Sequence, residues 1–381
     1  MITLCVPTKN RPVFLGRLLR YYARTGYRYW LFIGDSSDPQ QADRNERMVA
    51  SLAGQLKIAY HHYPGLSSCA ALEQLSRHVA TPYSALVCDD DFVCPTGLDR
   101  CMAFLGEHPD YGAAHGKGLM LMTERGAPYG SIGTVKSFPQ PILESSTGSE
   151  RLRVFLTRTP PALLYSVHRT DTWRAMFRGL HLLGGVDNRN MFKDELIASC
   201  VSVIRGKVKE LDGLYLIRQP HVEDSLRFPH VYDWITDPAW FPSYQLFHDR
   251  VVQELIRQDR ISPEEAQTVM REGFWHYLVH EVIGAWQKEQ AGAQQVPSSR
   301  LRAVIKRIPG LRRIWRGVRL TVQRYRDELS LPALLQPTSP YHADFRPVYE
   351  VITSPPAERA EGGRIESGLD EIALAGAGGH G

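Results

Sequence analysis

The chain has 381 residues, of which 43% are hydrophobic, and its formal net charge is +4. A chain of this size can bury a sizeable core, and one large domain with an appendage is expected rather than three domains. No apolar run reaches about 18 residues, no leader precedes the first strand, and the six cysteines form no Cys-x-x-Cys pair. These features argue against a zinc scaffold, and they predict a cytoplasmic protein with reduced cysteines that is neither exported nor membrane-spanning.

The first forty residues predict a strand, a helix and a second strand. Ile2 to Val6 is a β-rich run, and the turn over residues 7–12 places Asn10 at a helix N-cap. Apolar side chains then follow at helical spacing: Phe14, Leu15, Leu18, Leu19 and Tyr22. Tyr29 to Ile33 has the pattern of a buried strand, which the polar residues 34–39 end.

Two more helix–strand pairs complete the predicted N-terminal sheet. Residues 40–54 and 66–79 are helix-like, and residues 57–62 are strand-like. The apolar run 83–88 predicts a fourth strand, which ends in three carboxylates, Asp89-Asp90-Asp91. The order β-α-β-α-β-α-β predicts an α/β domain with a parallel sheet and helices on both faces.

The acidic triplet is the most informative feature of the sequence. Three adjacent carboxylates are costly unless a cation or hydrogen-bond donors neutralise them. Mg2+ and Mn2+ prefer oxygen ligands, take one or two carboxylates from the protein and complete their shell with water and phosphate. The end of a buried strand in an α/β domain is where such a site is expected. A solvated acidic turn is the alternative for the triplet taken alone.

The middle of the chain has fewer clear signals. Residues 111–190 predict several short segments separated by Gly and Pro, and residues 159–169 predict a turn that leads into a strand. A helix is expected to begin at residues 193–195. Its apolar stripe comprises Leu196, Ile197, Cys200, Val201 and Ile204. Leu214 to His221 predicts a last strand that leads into a loop.

Three turns of the N-terminal half carry a resemblance to a known family. The opening Val-Pro-Thr-Lys-Asn-Arg at 6–11, the turn 35–38 and the triplet 89–91 resemble the nucleotide-sugar half of family 2 glycosyltransferases with the GT-A fold. The opening is also similar to that of a bacterial subgroup of these enzymes, and the resemblance covers residues 1–220. One departure is Gly34, which stands where the family commonly has the first of two aspartates.

The resemblance implies a donor site at these turns. The backbone at Pro7 and Thr8 would pass under the nucleobase, and Asp35 would accept a hydrogen bond from the base's ring N–H. Lys9 or Arg11 would approach the diphosphate. The alternative for these two cations is that they are solvated on a loop.

The resemblance also implies roles for the triplet and for a distant histidine. Asp91 would hold a Mg2+ or Mn2+ ion, with Asp89 helping directly or through water. Asp89 and Asp90 could instead bind the ribose hydroxyls. His221 would be a third metal ligand or a diphosphate contact, and a solvated loop histidine is the alternative.

The acidic pair at the start of the predicted helix has two explanations. It can cap the first turn and complement the helix dipole. In the resembled family, an acidic residue here is the general base that deprotonates the acceptor hydroxyl, and Asp194 is preferred over Glu195 for this role. A base opposite a metal-bound leaving group implies a single in-line displacement with inversion at the anomeric carbon.

Composition divides the chain into regions. The expected boundaries are 1–110 for the nucleotide-sugar half of the GT-A domain, 111–225 for its acceptor half, 226–295 for a helical extension, 296–330 for basic amphipathic helices and 331–381 for a disordered tail. The many aromatic residues of the extension are expected to pack its core rather than to stack on sugars.

The basic region has an unusual charge pattern. The stretch from Val296 to Arg326 holds ten Lys or Arg and no acidic residue. Together with Trp315 and apolar residues at near-helical spacing, this pattern predicts an anchor on an anionic membrane, at the inner face of the plasma membrane. Helices packed on the catalytic domain and a nucleic-acid surface are the alternatives. No nucleic-acid partner is expected.

The sequence as a whole predicts a metal-dependent, inverting glycosyltransferase of hexosyltransferase type. It would move a sugar from a nucleotide-diphosphate donor to a hydroxyl of a glycan or lipid-linked acceptor in cell-surface glycan synthesis. One alternative is a sugar nucleotidyltransferase, although the Gly-rich loop of that class is missing after the first strand. A non-catalytic membrane or nucleic-acid adaptor that uses the basic helices is the other.

Overall fold

The computed structural model describes residues 1–157, 163–180, 195–221, 231–293 and 329–355, without the side chains of 288–293. The strands are β1 (Ile2–Thr8), β2 (Trp30–Asp35), β3 (Lys57–His62), β4 (Tyr83–Leu86), β5 (Phe92–Val93), β6 (Tyr111–Thr123), β7 (Ile132–Ser137), β8 (Val167–Arg169) and β9 (Lys207–Arg218). All nine belong to one sheet.

Helices and one short 3-10 turn, Leu163–Tyr165, connect the strands and extend the chain beyond them. The helices are α1 (Pro12–Arg24), α2 (Pro39–Ser51), α3 (Ser68–His78), α4 (Pro95–Glu107), α5 (Gly148–Leu156), α6 (Thr170–Phe177), α7 (Ile197–Arg205), α8 (Val231–Thr236), α9 (Trp240–Asp259), α10 (Pro263–Ala293), α11 (Leu331–Leu334) and α12 (His342–Thr353). In the described ranges no helix is both long and apolar enough to cross a bilayer.

The sheet has the order β3-β2-β1-β4-β8-β6-β9-β5, with β7 added beside β6. The four N-terminal strands β1, β2, β3 and β4 are all parallel to one another. β8 is antiparallel to both β4 and β6, so β6 and its parallel neighbour β9 run in the same direction as β4. The predicted α/β class, with a mostly parallel sheet and a C-terminal helical extension, is confirmed.

The strand directions bring several carboxyl ends to one edge of the sheet. In the parallel register Thr8 lies beside Asp35, and Cys5 lies beside Leu86. The loops after β1, β2 and β4 therefore leave the sheet side by side. Because β9 has the same direction as β4, the residues that follow Arg218 reach this edge too. The chain thus collects four loops at the place where α/β domains bind their ligands.

The helical extension packs on α5 and α7. α9 contacts α7, and α10 contacts both α5 and α9. Phe274 is the centre of an aromatic cluster, with ring centroids 4.9 Å from Tyr244 and 5.6 Å from Phe247. These aromatic side chains serve the core of the extension. In contrast, Trp275 and Trp286 on α10 are 62% and 59% exposed.

The C-terminal segment differs from the prediction. Disorder was expected over 331–381, but the chain forms α11 and α12, and α12 packs on α1. Four apolar side chains of α12 are fully buried: Phe345, Val348, Val351 and Ile352. The prediction is wrong for residues 331–353 because this burial stabilises a helix despite its internal Pro347. Residues 356–381 and most of the basic region 296–330 lie outside the described ranges.

The turn before α1 differs as well. Asn10 was expected to be the N-cap, but Arg11 occupies that position, and its carbonyl accepts from the Leu15 amide at 3.1 Å. Asn10 has a left-handed backbone with φ of 55°. Its amide oxygen accepts from the Asp38 backbone N–H at 2.9 Å, and its Nδ2 donates to the Asp38 carboxylate at 3.0 Å. Asn10 therefore ties the loop after β1 to the loop after β2.

Candidate active site

Asp89 fixes the end of β4 to the loop after β1. The Thr8 hydroxyl donates to Asp89 Oδ2 at 2.7 Å, and Arg11 Nη1 lies 3.0 Å from Asp89 Oδ1. Asp89 is only 1% exposed. Because both its oxygens bind residues of one loop, Asp89 holds that loop against the triplet.

Asp90 lies at the opening of the site. Arg11 Nη2 donates to Asp90 Oδ2 at 2.9 Å, and His221 Nε2 lies 3.0 Å from the same oxygen. Arg11 also contacts His221 Nε2 directly. The side chains of Asp90 and His221 are 17% and 1% exposed. The structure thus brings His221 to the triplet, as the sequence predicted, although its chemical role stays a prediction.

Asp91 faces the end of β9. The Gln219 backbone N–H donates to Asp91 Oδ1 at 3.0 Å, and Arg218 Nε donates to Asp91 Oδ2 at 3.2 Å. Asp91 is 1% exposed. Each of the three carboxylates is therefore held by groups from outside the triplet, and Arg11 binds both Asp89 and Asp90.

Burial and charge move the three carboxyl pKa values in opposite directions. Burial raises the pKa of Asp89 to about 7, although Arg11 acts against it. Burial, followed by the negative charge of Asp90, raises the pKa of Asp91 to about 6. Burial would also raise the pKa of Asp90, but His221 and Arg11 together outweigh it and lower that pKa to about 2. The charged forms of Asp89 and Asp91 are therefore incompletely stabilised by their present partners, and a further cation nearby would stabilise them.

A buried arginine, which the sequence analysis did not single out, organises the site from behind. Arg17 is fully buried. Its Nη2 donates to the Asp90 carbonyl at 2.6 Å, and its Nη1 donates to the Pro128 carbonyl at 2.7 Å and to the Gln219 side chain. Gln219 in turn donates to the Ala127 carbonyl at 2.9 Å. Arg17 and Gln219 thus join α1, the triplet, the β6–β7 loop and the end of β9.

Aromatic rings form the walls around the charged groups. The Phe14 ring lies 4.5 Å from the Arg11 guanidinium and 4.6 Å from the His221 ring. On the other side, Arg218 lies 4.9 Å from the centre of the Tyr165 ring. Guanidinium groups stack favourably on such rings. No sequence signal separated these aromatic residues from ordinary core residues.

The chemistry of the donor set fits a hard divalent cation. Among the described residues, ligand atoms of Cys88, Asp90 and Asp91 lie within 4.8 Å of one another. The Cys88 thiol is a poor ligand here because burial raises its pKa and keeps it protonated. Asp90 and Asp91 remain as oxygen ligands, which is the number that Mg2+ or Mn2+ usually takes from a protein. Asp89, predicted as the second ligand, is instead turned toward Thr8.

The loop after β1 carries two cations whose contacts are unequal. Pro7 and Thr8 are buried at the end of β1. Lys9 is half-buried and makes no ion pair among the described residues. Arg11, in contrast, binds both Asp89 and Asp90. Arg11 is therefore the better candidate for a diphosphate contact.

Asp35 is engaged by its own neighbours. It is fully buried, and its Oδ1 accepts from the Ser37 backbone N–H at 2.8 Å. Its Oδ2 accepts from Asn45 Nδ2 at 2.8 Å and from the Tyr60 hydroxyl at 2.7 Å. A contact with a nucleobase would require one of these donors to give way, so this role of Asp35 stays a prediction.

The predicted general base lies at the border of the described chain. Asp194 is outside the described residues, and Glu195 is half-buried in one π-helical turn before α7. The pKa of Tyr277 on α10 is raised, first by burial, with a smaller contribution from Glu195. Glu195 is thus near the helical extension. The assignment of the base to Asp194 or Glu195 is untested by these contacts.

Comparisons with known proteins find similar folds at low identity. S. aureus TarS 1-349 covers 73% of this chain and 72% of its own, with 12% identity and a TM-score of 0.46. Its complex with UDP-GlcNAc gives 73% and 72% coverage, 16% identity and a TM-score of 0.42. Mannosyltransferase PcManGT from Pyrobaculum calidifontis, in complex with GDP-Man and Mn2+, gives 84% and 80% coverage, 13% identity and a TM-score of 0.37.

No family model matches the chain, and no curated protein matches it. The structural neighbours include a mannosyltransferase. At these identities and TM-scores the likeness assigns no activity to the chain. The functional argument therefore rests on the geometry of its own acidic triplet.

Proposed function

We propose that the chain is a metal-dependent, inverting glycosyltransferase that moves a hexosyl group from a nucleotide-diphosphate sugar to a hydroxyl acceptor. The observation that carries this proposal is the meeting of Asp90, Asp91, Arg11 and His221 at the carboxyl edge of the sheet. With a divalent ion held by its carboxylates, such a group would neutralise the charge that develops on a diphosphate leaving group.

The donor end of the site would use the triplet together with its cationic neighbours. Asp91 would hold Mg2+ or Mn2+, and the geometry supports Asp90 as the second carboxylate, with Asp89 acting through the loop that it binds. His221 would complete the metal shell or contact the diphosphate. A bound divalent ion would supply Lewis-acid stabilisation of the departing diphosphate. Thr8 and Pro7 would position the nucleoside over the loop after β1.

The acceptor end would use one carboxylate as a base. Asp194, or Glu195 beside it, would take the proton from the acceptor hydroxyl on the face opposite the leaving group. One base and one in-line displacement give inversion, and no second carboxylate nucleophile is needed. The acceptor would be a glycan or a lipid-linked precursor of a cell-surface glycan.

A membrane surface is the second partner in this proposal. The ten basic residues of 296–326 favour binding to anionic lipid. The exposed surface of α10, which precedes them, also supports membrane contact. Five apolar side chains on one face of α10 are exposed by 45% or more: Trp275, Val279, Val282, Ile283 and Trp286. An exposed apolar face bounded by tryptophans is typical of interfacial contact. We therefore place the enzyme on the cytoplasmic face of the membrane.

Ligand binding tests the proposed donor site. Thermal melts with UDP-, GDP-, CDP- and dTDP-sugars, each with and without Mn2+, should show stabilisation by one nucleotide class only when Mn2+ is present. A sugar nucleotidyltransferase would instead be stabilised by a nucleoside triphosphate together with a sugar phosphate. An adaptor would respond to none of these ligands. Absence of Mn2+-dependent stabilisation by every donor would reject the proposal.

A further inference from the structure

The three arginines around the triplet differ in their burial. Arg17 is fully buried and is fixed by the carbonyls of Asp90 and Pro128. The side chains of Arg11 and Arg218 are 19% and 34% exposed. Arg17 is therefore a fixed part of the scaffold, whereas Arg11 and Arg218 lie at the boundary with solvent and have room to change partners.

Arg11 and Arg218, the two rim arginines, bind the same carboxylates that would serve as metal ligands. Arg11 Nη2 is 2.9 Å from Asp90 Oδ2, and Arg218 Nε is 3.2 Å from Asp91 Oδ2. Two cations that share one carboxylate repel each other at such distances, particularly where little water separates them. A divalent ion at Asp90 and Asp91 therefore competes with both guanidinium groups.

Each rim arginine has a second support that needs no carboxylate. Arg11 lies over the Phe14 ring at 4.5 Å, and Arg218 lies between Tyr165 at 4.9 Å and Phe138 at 5.2 Å. An aromatic ring can retain a guanidinium while its hydrogen-bond partner changes. A guanidinium released from a carboxylate is a strong, two-pronged donor to the oxygens of a diphosphate.

We propose that Arg11 and Arg218 form a diphosphate-binding pair that neutralises the triplet until a nucleoside diphosphate enters with its divalent ion, and that both side chains then exchange Asp90 and Asp91 for diphosphate oxygens. This inference rests on the proposed function, which supplies the ligand. It adds Arg218 to the site and makes metal and nucleotide depend on each other. The ion binds weakly alone and tightly together with the diphosphate.

Arg218→Gln should affect metal binding and nucleotide binding in opposite directions. Without the competing charge, Mn2+ alone should bind about tenfold more tightly than in the wild type. UDP or GDP in the presence of Mn2+ should bind about tenfold more weakly, since a charged donor is lost. Electron paramagnetic resonance of free Mn2+ measures the first affinity, and titration calorimetry measures the second.

Two further variants control this experiment. Arg28→Gln changes an arginine that is 69% exposed and paired with Asp99, and it should alter neither affinity. Arg218→Lys keeps the charge but not the planar fork, so Mn2+ alone should bind as in the wild type while the nucleotide binds more weakly. If thermal melts show that Arg218→Gln is not natively folded, the two affinities of Arg218→Lys test the exchange instead.

The possible failures point to different conclusions. A wild-type protein that binds Mn2+ but none of UDP, GDP, CDP and dTDP contradicts the proposed function as well. A wild-type protein that binds both ligands, with Arg218→Gln equal to it in both affinities, overturns the exchange alone. A natively folded Arg218→Gln that has lost Mn2+ binding also overturns the exchange, because Arg218 would then support the metal site rather than compete for it.

Discussion

At the scale of single residues, Asp91 gives the most direct test of the metal. Asp91→Asn keeps an oxygen that can accept from the Gln219 backbone N–H but removes the charge. Mn2+-dependent nucleotide binding should fall by at least about tenfold, while thermal stability should hold or rise because a buried charge is lost. Titration calorimetry and melts measure the two effects.

The matched control for Asp91 is Asp99→Asn, which changes an aspartate that is 39% exposed and paired with Arg28. It should leave nucleotide binding unaltered, because Asp99 lies outside the triplet. The metal assignment fails if Asp91→Asn binds nucleotide with wild-type affinity and wild-type dependence on Mn2+.

The second residue-scale prediction concerns the base. Asp194→Asn should preserve donor binding but lower sugar transfer by roughly two to four orders of magnitude, because an amide cannot accept the proton. Glu195→Gln should have a smaller effect. Glu265→Gln, in the first turn of α10, controls for the loss of charge at a helix start. Transfer rates and donor affinities are the measurements, and normal transfer in both site variants would move the base elsewhere.

The third concerns a buried histidine away from the site. Burial lowers the pKa of His168 to about 4, and its ring lies 3.0 Å from the Leu163 carbonyl. The folded state therefore holds the neutral ring, whereas the unfolded chain takes up a proton below its ordinary pKa of about 6.5. The resulting stability is present above pH 6.5 and should be lost as the pH falls toward 4, by up to roughly 3 kcal/mol.

Urea unfolding of the wild type and of His168→Gln checks this expectation. The variant should be less stable than the wild type at about pH 7.5. As the pH falls from about 7 to about 5, through the ordinary histidine pKa of about 6.5, the variant should lose less free energy of unfolding than the wild type does. Parallel pH profiles for the two proteins would exclude His168 as a source of acid sensitivity.

Sequence reasoning identified the parts of the site that are contiguous, and it missed those that depend on distant backbone. Asp89, Asp90 and Asp91 form an obvious triplet, and Arg11 is close to them through the first loop. Arg17, in contrast, has the pattern of a surface arginine on α1. Arg17 is buried because backbone carbonyls of residues far along the chain accept its hydrogen bonds. Every residue has a backbone carbonyl, so the pattern of residue types does not predict such a contact.

At the scale of elements, the packing of α12 gives the clearest prediction for stability. Phe345 is fully buried on α12, the helix that packs on α1. Phe345→Ala should lower the free energy of unfolding by about 3–5 kcal/mol, since a large apolar side chain is removed from a packed site. Arg346→Ala, which removes an exposed partner of Glu350 on the same helix, should cost less than about 1 kcal/mol. Denaturant unfolding compares the two variants.

A small effect of Phe345→Ala would mean that α12 adds little to the stability of the domain. In that case the first 293 residues should fold alone. A large effect, together with faster proteolysis near α1, would show that α12 belongs to the domain core.

The N-terminal elements could be predicted because their own residues determine them. The buried β1 and β2 alternate with amphipathic helices, and each element lies beside its neighbour in the chain. α12 could not be predicted in the same way. Its stripe of four apolar residues is short, Pro347 interrupts the pattern, and its partner α1 lies more than three hundred residues earlier.

At the scale of the whole molecule, the basic region gives the test of the proposed membrane contact. Replacing Lys306, Arg307, Arg312 and Arg313 by Gln should weaken binding to anionic vesicles by roughly two to three orders of magnitude, at about 1 kcal/mol for each charge. The wild type should also release the vesicles as salt rises. Co-sedimentation with anionic and neutral vesicles at low and high salt measures both effects.

The control for this variant removes four surface arginines elsewhere, namely Arg28, Arg47, Arg257 and Arg346. Charge substitution is preferable to truncation after residue 296, because truncation would also remove α12 from α1. A wild-type protein that stays in the supernatant with anionic vesicles at low salt contradicts the membrane proposal.

The contact between α12 and α1 also constrains how the protein is made. α1 leaves the ribosome among the first segments of the chain, whereas α12 follows only after about 340 residues have been added. At synthesis rates of about 5–20 residues per second, α1 waits for tens of seconds with its α12-binding surface uncovered. The domain that contains α1 therefore cannot complete its core until α12 has been made.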